Sequence, residues 1–135
     1  MKAKFSRAWK GSKKPNKQRK YAANAPLHIK RKMLSSRLSK ELTKKYSKRN
    51  ITVRKGDKVK VVRGNFKNHS GTVEKVLTKL LRVYVEGVHR SKRDGSKAYY
   101  PIHPSNLIIT ELNLGDKKRQ EILNKNKKTT GVKNE

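Results

Sequence analysis

Gly56-Asp57-Lys58-Val59-Lys60-Val61-Val62-Arg63-Gly64-Asn65-Phe66-Lys67-Asn68-His69-Ser70-Gly71-Thr72-Val73 is the stretch on which the fold turns. Asp57 opens a tight turn, Val59 and Val61 alternate as one face of a strand, and Gly64 and Gly71 bracket a basic loop. Glycine suits both brackets because it adopts positive φ without a Cβ clash. Past Gly71 the apolar positions Val73, Val76 and Leu77, then Leu81, Val83 and Val85, return with Arg82, Tyr84 and Glu86 on the opposite face. That period of two predicts half-buried strands.

Extending the pattern predicts strands near 58–63, 71–77, 80–86, 98–102 and 106–110, and five short strands fit a small, mainly β, SH3-like barrel over residues 51–111. Between the third and fourth strands runs His89-Arg90-Ser91-Lys92-Arg93-Asp94-Gly95-Ser96-Lys97, whose Asp-Gly step signals a hairpin turn. Arg90, Lys92, Arg93 and Lys97 crowd that turn, and so little apolar content favours a phosphate-facing role over packing. Pro101 and Pro104 mark an edge strand and a turn before the last strand.

Composition fixes the class of partner. Against 9 Asp and Glu stand 38 Lys and Arg, a formal charge of +29 on 135 residues, and only 32% of residues are hydrophobic. Such charge opposes compaction and demands a polyanion, and one small domain is the sensible count. No cysteine is present, which excludes disulfides, thiolate catalysis and cysteine-ligated zinc. No apolar run reaches the roughly 20 residues of a membrane span, and the basic start Met1-Lys2-Ala3-Lys4 leads into more charge, unlike a secretory signal. His28, His69, His89 and His103 lack metal-ligand spacing, the acids form no pair suited to acid and base roles, and no phosphate-cradling glycine loop ends in Lys-Ser or Lys-Thr. The chain therefore reads as a binding protein, not an enzyme, with no metal, cofactor or small-molecule substrate.

Charge also divides the chain. Residues 1–50 carry Glu41 as their single acid and form a basic extension, expected to lack fixed structure up to about residue 38 until RNA is bound. Within it, Pro15 sits at the first turn of a short helix to about Ala23, stopped by Pro26. Leu34, Leu38, Leu42 and Tyr46 recur every fourth residue as one helical face, with the firmest helix capped by Ser39 and ending near Tyr46. Residues 112–135 follow the barrel: Asp116 caps a short helix over Lys117 to Leu123, and a basic tail expected to be disordered completes the chain.

Three kinds of contact with a nucleic-acid partner are expected. Lys4, Lys10, Lys13, Lys14, Lys17, Lys20, Lys32, Lys55 and Lys67 neutralise phosphates. Arg7, Arg19, Arg31, Arg37, Arg54 and Arg63 add bidentate contacts or stack on bases. Phe5, Trp9, Tyr21 and His28 either meet unpaired bases or, for Phe5 and Trp9, pack on the protein's own surface. In the central loop Gly64, Lys67, Asn68 and His69 face the partner, although Gly64 and Gly71 serve turn geometry even with nothing bound.

With these residues in view, the chain resembles the KOW-containing ribosomal proteins of the large subunit in their archaeal and eukaryotic form. The resemblance runs through Ala25-Pro26-Leu27-His28-Ile29, Leu38-Ser39-Lys40-Glu41-Leu42, the KOW core opened by Val53-Arg54-Lys55-Gly56-Asp57, and Pro101-Ile102-His103-Pro104-Ser105-Asn106. It implies an SH3-like domain with extensions that binds large-subunit rRNA near its 5′ region, early in assembly, beside the peptide exit tunnel. Neighbouring ribosomal proteins and a cytoplasmic location are implied with it. The alternatives are a KOW adaptor for transcription elongation, which lacks here the mixed α/β domain it needs before the KOW, and a nonspecific nucleic-acid-compacting protein, which charge alone would allow.

Overall fold

Valines at alternate positions build the centre of the sheet. In the computed structural model, which describes residues 5, 6, 8, 9 and 11–124, β3 (Lys58–Val61) buries Val59 and Val61 and turns Lys58 and Lys60 to solvent. It pairs antiparallel with β4 (Ser70–Leu77) on one side and with β8 (Leu107–Glu111) on the other. β4 in turn pairs with β5 (Arg82–Val85). The turn between β4 and β5 takes in Leu80 and Leu81, expected to lie in a strand; Leu81 adopts φ 55° there while still packing against the core.

The other edge of the sheet comes from the basic extension. β1 (Ser35–Leu38) lies antiparallel to β2 (Asn50–Thr52) and parallel to β8, which gives the order β2-β1-β8-β3-β4-β5. The sheet thus takes in residues 35–38 of the basic extension. Leu34 and Leu38 are buried as expected, but Ser36 between them is buried too, its hydroxyl donating to the Pro104 carbonyl at 2.7 Å. Period two wins over the helical stripe because that hydroxyl finds a partner inside.

The helix that Ser39 caps is α3 (Lys40–Tyr46), with the Ser39 hydroxyl accepting from the Leu42 amide. Pro15 opens α1 (Pro15–Asn24), which buries no side chain. Past Pro26 the chain enters a second, unexpected helix, α2 (Leu27–Met33). After β5, a hairpin of β6 (His89–Ser91) and β7 (Lys97–Tyr99) forms about the Asp94-Gly95 turn, where Asp94 Oδ1 accepts from the Ser96 amide and hydroxyl. The expected strand at 98–102 is therefore split: 97–99 pairs within the hairpin, while Ile102 forms a separate bridge to Val83. A 3-10 turn (Pro104–Asn106) leads on to β8. Val62 donates to Asn106 O, so residues 102–107 run from the β5 edge back to β3 and β8, and the sheet curls on itself.

Inside the curl lies one apolar cluster of Val59, Val61, Val73, Val83, Val85, Leu107, Ile109 and their neighbours. Each fully buried aliphatic side chain contributes roughly 1.5–3 kcal/mol of transfer energy. α4 (Lys117–Asn124) closes one side by burying Leu123, and its Asp116 cap accepts from the Lys118 amide as expected. Among the described residues no helix is long and apolar enough to cross a membrane.

Candidate nucleic-acid interface

A buried ion pair anchors the central turn to the C-terminal helix. Asp57 is 0% exposed and Arg119 2%, and the guanidinium spans both carboxylate oxygens at 2.6 and 2.7 Å. Asp57 also accepts the amides of Arg54 and Asn113, and Arg119 donates to the carbonyls of Asn113 and Thr52. Asp57 does shape a turn, as the sequence indicated, but the guanidinium that neutralises it had no local signal. Among the buried side-chain polar atoms of the described residues, Arg119 Nε is the one left without a partner.

The Asp57 turn positions β3, and β3 presents the loop to β4. Gly64 adopts φ +92° with open space around it, which fits the turn role expected of it. Gly71 needs glycine for a different reason: its φ is ordinary, but a Cβ there would lie 2.7 Å from the Glu86 carbonyl oxygen. Asn68 has φ 69°, a conformation asparagine tolerates, so it serves the turn as well as offering its amide. His69 is half-buried, its Nε2 2.9 Å from Glu86 O. Lys67 and Arg63 remain exposed.

Among the described residues, the other cations expected to meet the partner lie on α1, α2, the hairpin, β1 and the Asp57 turn. Lys13, Lys14, Lys17, Arg19 and Lys20 stand exposed along α1 and its entry, Arg19 reaching only Asn16. His28, Arg31 and Lys32 are exposed on α2, whose Lys30 ties it to the β4–β5 turn through Lys79 O at 3.3 Å. Arg90, Lys92, Arg93 and Lys97 are exposed around the hairpin, and Arg37 projects from β1. Lys55 is exposed in the Asp57 turn beside Arg54, which is bound to Asp116 and holds that carboxyl below its ordinary range. Among the described residues the ion pairs are Arg54–Asp116, Lys58–Glu111 and Arg119–Asp57, and none of these takes in a cation of α1, α2 or the hairpin. Lys4, Arg7 and Lys10 lie outside the described residues.

Among the described residues, aromatic rings meet beside α1 and at the base of the hairpin. Phe5 and Trp9 both pack on Tyr21, with ring centroids 4.9 and 4.6 Å apart, which is the self-packing alternative. The hairpin base carries aromatic residues that the sequence alone did not single out: Tyr99 stacks on Tyr84 at 5.2 Å and meets His89 at 4.8 Å, and Tyr100 meets Phe66 at 5.2 Å. Tyr99 and Tyr100 stay exposed. Glu74, by hydrogen bond and charge, raises the Tyr99 hydroxyl pKa. The available signal was two adjacent tyrosines, Tyr99 and Tyr100, one residue past the basic turn that ends at Lys97.

The protein thus offers exposed, unneutralised cations on several elements and exposed rings between them, which together suit an RNA backbone and its bases. A family model that describes the eukaryotic L26 and archaeal L24 ribosomal proteins matches residues 12–126, from the entry to α1 to just past α4. Because that match takes in the cationic helices, the curled sheet and the Arg119 helix alike, the chain belongs to this family of large-subunit ribosomal proteins.

Proposed function

We propose that this protein, by its family a structural constituent of the large ribosomal subunit, binds large-subunit rRNA near its 5′ region, joins early in assembly and lies beside the peptide exit tunnel with other ribosomal proteins as neighbours. The observation that carries the reading is the absence of any internal ion pair for the cations of α1, α2 and the β6–β7 hairpin among the described residues. Left unpaired, they repel one another, and an RNA backbone relieves that repulsion while releasing condensed counterions. The curled sheet with its Gly64–Gly71 loop supports the finer reading of an SH3-like KOW domain.

Lysines and arginines position the chain on phosphates, and exposed rings and amides between them meet unpaired bases. α1 buries nothing of its own, so its ordering is worth most when RNA covers it. The test is binding to a transcript of the 5′ domain of large-subunit rRNA, set against a 3′-domain transcript of equal length over a range of salt. Tighter, more salt-resistant binding to the 5′ transcript is expected. Equal affinity for both would contradict the regional assignment and favour nonspecific compaction.

A further inference from the structure

Phe66, in the β3–β4 loop, and Tyr100, just past β7, meet at an interplanar angle of 49° with Tyr100 still 40% exposed. Both rings are held before any partner arrives. The Tyr100 amide donates to Val88 O at 3.1 Å, Pro101 follows it, and Ile102 exchanges backbone bonds with Val83. Phe66 packs against the core and its carbonyl accepts the His69 amide.

Two open cavities border this pair. One, of about 210 Å³, is bordered by Arg63, Arg82, His103 and Asn106, and the other, of about 350 Å³, by His89 and Arg90, with Asn65 shared. Among the described residues no carboxylate lines either. The Tyr99–Tyr84 stack differs, because Glu74 and its negative charge border it. An exposed ring flanked by arginines and asparagines, in cavities lined by no acid among the described residues, matches an anionic ligand that has a flat π-face.

We propose that the Phe66–Tyr100 junction is a nucleotide subsite, in which an unstacked base of single-stranded rRNA lies on Tyr100 and Arg63 and Arg90 hold the phosphates flanking it. The proposal rests on the rRNA-binding reading above and adds its place and ligand class. A paired base cannot present its face, so the site selects loops, bulges or junctions over helix. Asn65 and Asn106, which border the same cavity, have both donor and acceptor atoms to offer a base edge.

The test uses the full chain with a 5′-domain transcript carrying 4-thiouridine and, in parallel, 6-thioguanosine. Irradiation is expected to join the RNA to the peptide holding Tyr100, at a nucleotide unpaired in the rRNA. Tyr100→Leu is expected to weaken binding about 5- to 150-fold and Tyr100→Phe no more than about twofold, since stacking needs the ring and not the hydroxyl. The salt dependence of Tyr100→Leu stays that of wild type, because every phosphate remains engaged. Should Tyr100→Leu lose its cooperative melt, the wild-type crosslink decides. Wild-type binding with crosslinks only elsewhere, or a folded Tyr100→Leu that binds like wild type, overturns the subsite alone. Failure of the wild-type chain to bind the transcript overturns the rRNA reading and the subsite with it.

Discussion

Replacing Asp57 by alanine strands a guanidinium that is 2% exposed and removes the acceptor for two backbone amides. Breaking a buried pair from one side costs roughly 3–5 kcal/mol, a large part of the stability of a small domain. Urea unfolding is expected to show that loss, and a change under about 1 kcal/mol would mean the pair is not structural. His103 gives a second residue-level outcome. Its Nδ1 accepts the Ser105 amide at the start of the 3-10 turn, and burial, then the nearby Arg82, lower its pKa. A histidine depressed in the fold is protonated first in the unfolded chain, so its contribution is intact above the unfolded pKa near 6.5 and is lost as pH falls below it. Unfolding free energy measured between pH 7.5 and 5 is expected to fall more steeply in wild type than in His103→Asn; equal slopes would contradict this.

At the scale of elements, the β6–β7 hairpin contributes no residue to the apolar cluster and carries four exposed cations. Changing Arg90, Lys92, Arg93 and Lys97 to glutamine is expected to leave the melt in place and flatten the salt dependence of rRNA binding, by about 0.7–0.9 log units for each phosphate no longer engaged. An unchanged salt slope would mean that the hairpin's cations engage no phosphate. Elements set by short-range chemistry were legible in the sequence: the Ser39 and Asp116 caps, the proline at the start of α1, the Val59–Val61 alternation and the Asp-Gly hairpin all act within a few residues. β1 was not, because a four-residue leucine spacing fits a helix or a strand, and the choice depends on Ser36 reaching Pro104, 68 residues away. The Asp57–Arg119 pair, 62 residues apart, and the Phe66–Tyr100 platform are hidden for the same reason. Gly71 was right in place but not in cause, since close approach of another strand leaves no trace in its own neighbours.

Across the whole molecule, apolar burial and unneutralised charge are segregated. The curled sheet, α3 and α4 supply the core, while α1 buries nothing and the cations lie outside. A chain beginning at Ala25 is therefore expected to melt cooperatively near the wild-type temperature but to bind rRNA more weakly and with a shallower salt dependence. Unchanged affinity would mean that α1 and the residues before it take no part. The most direct test is to sediment the native protein from a lysate through a high-salt sucrose gradient, probing each fraction for the chain and for large-subunit rRNA. The account predicts close to one copy per large subunit, retained at high salt. Release to the top of the gradient, or migration with RNA polymerase or DNA, would contradict it.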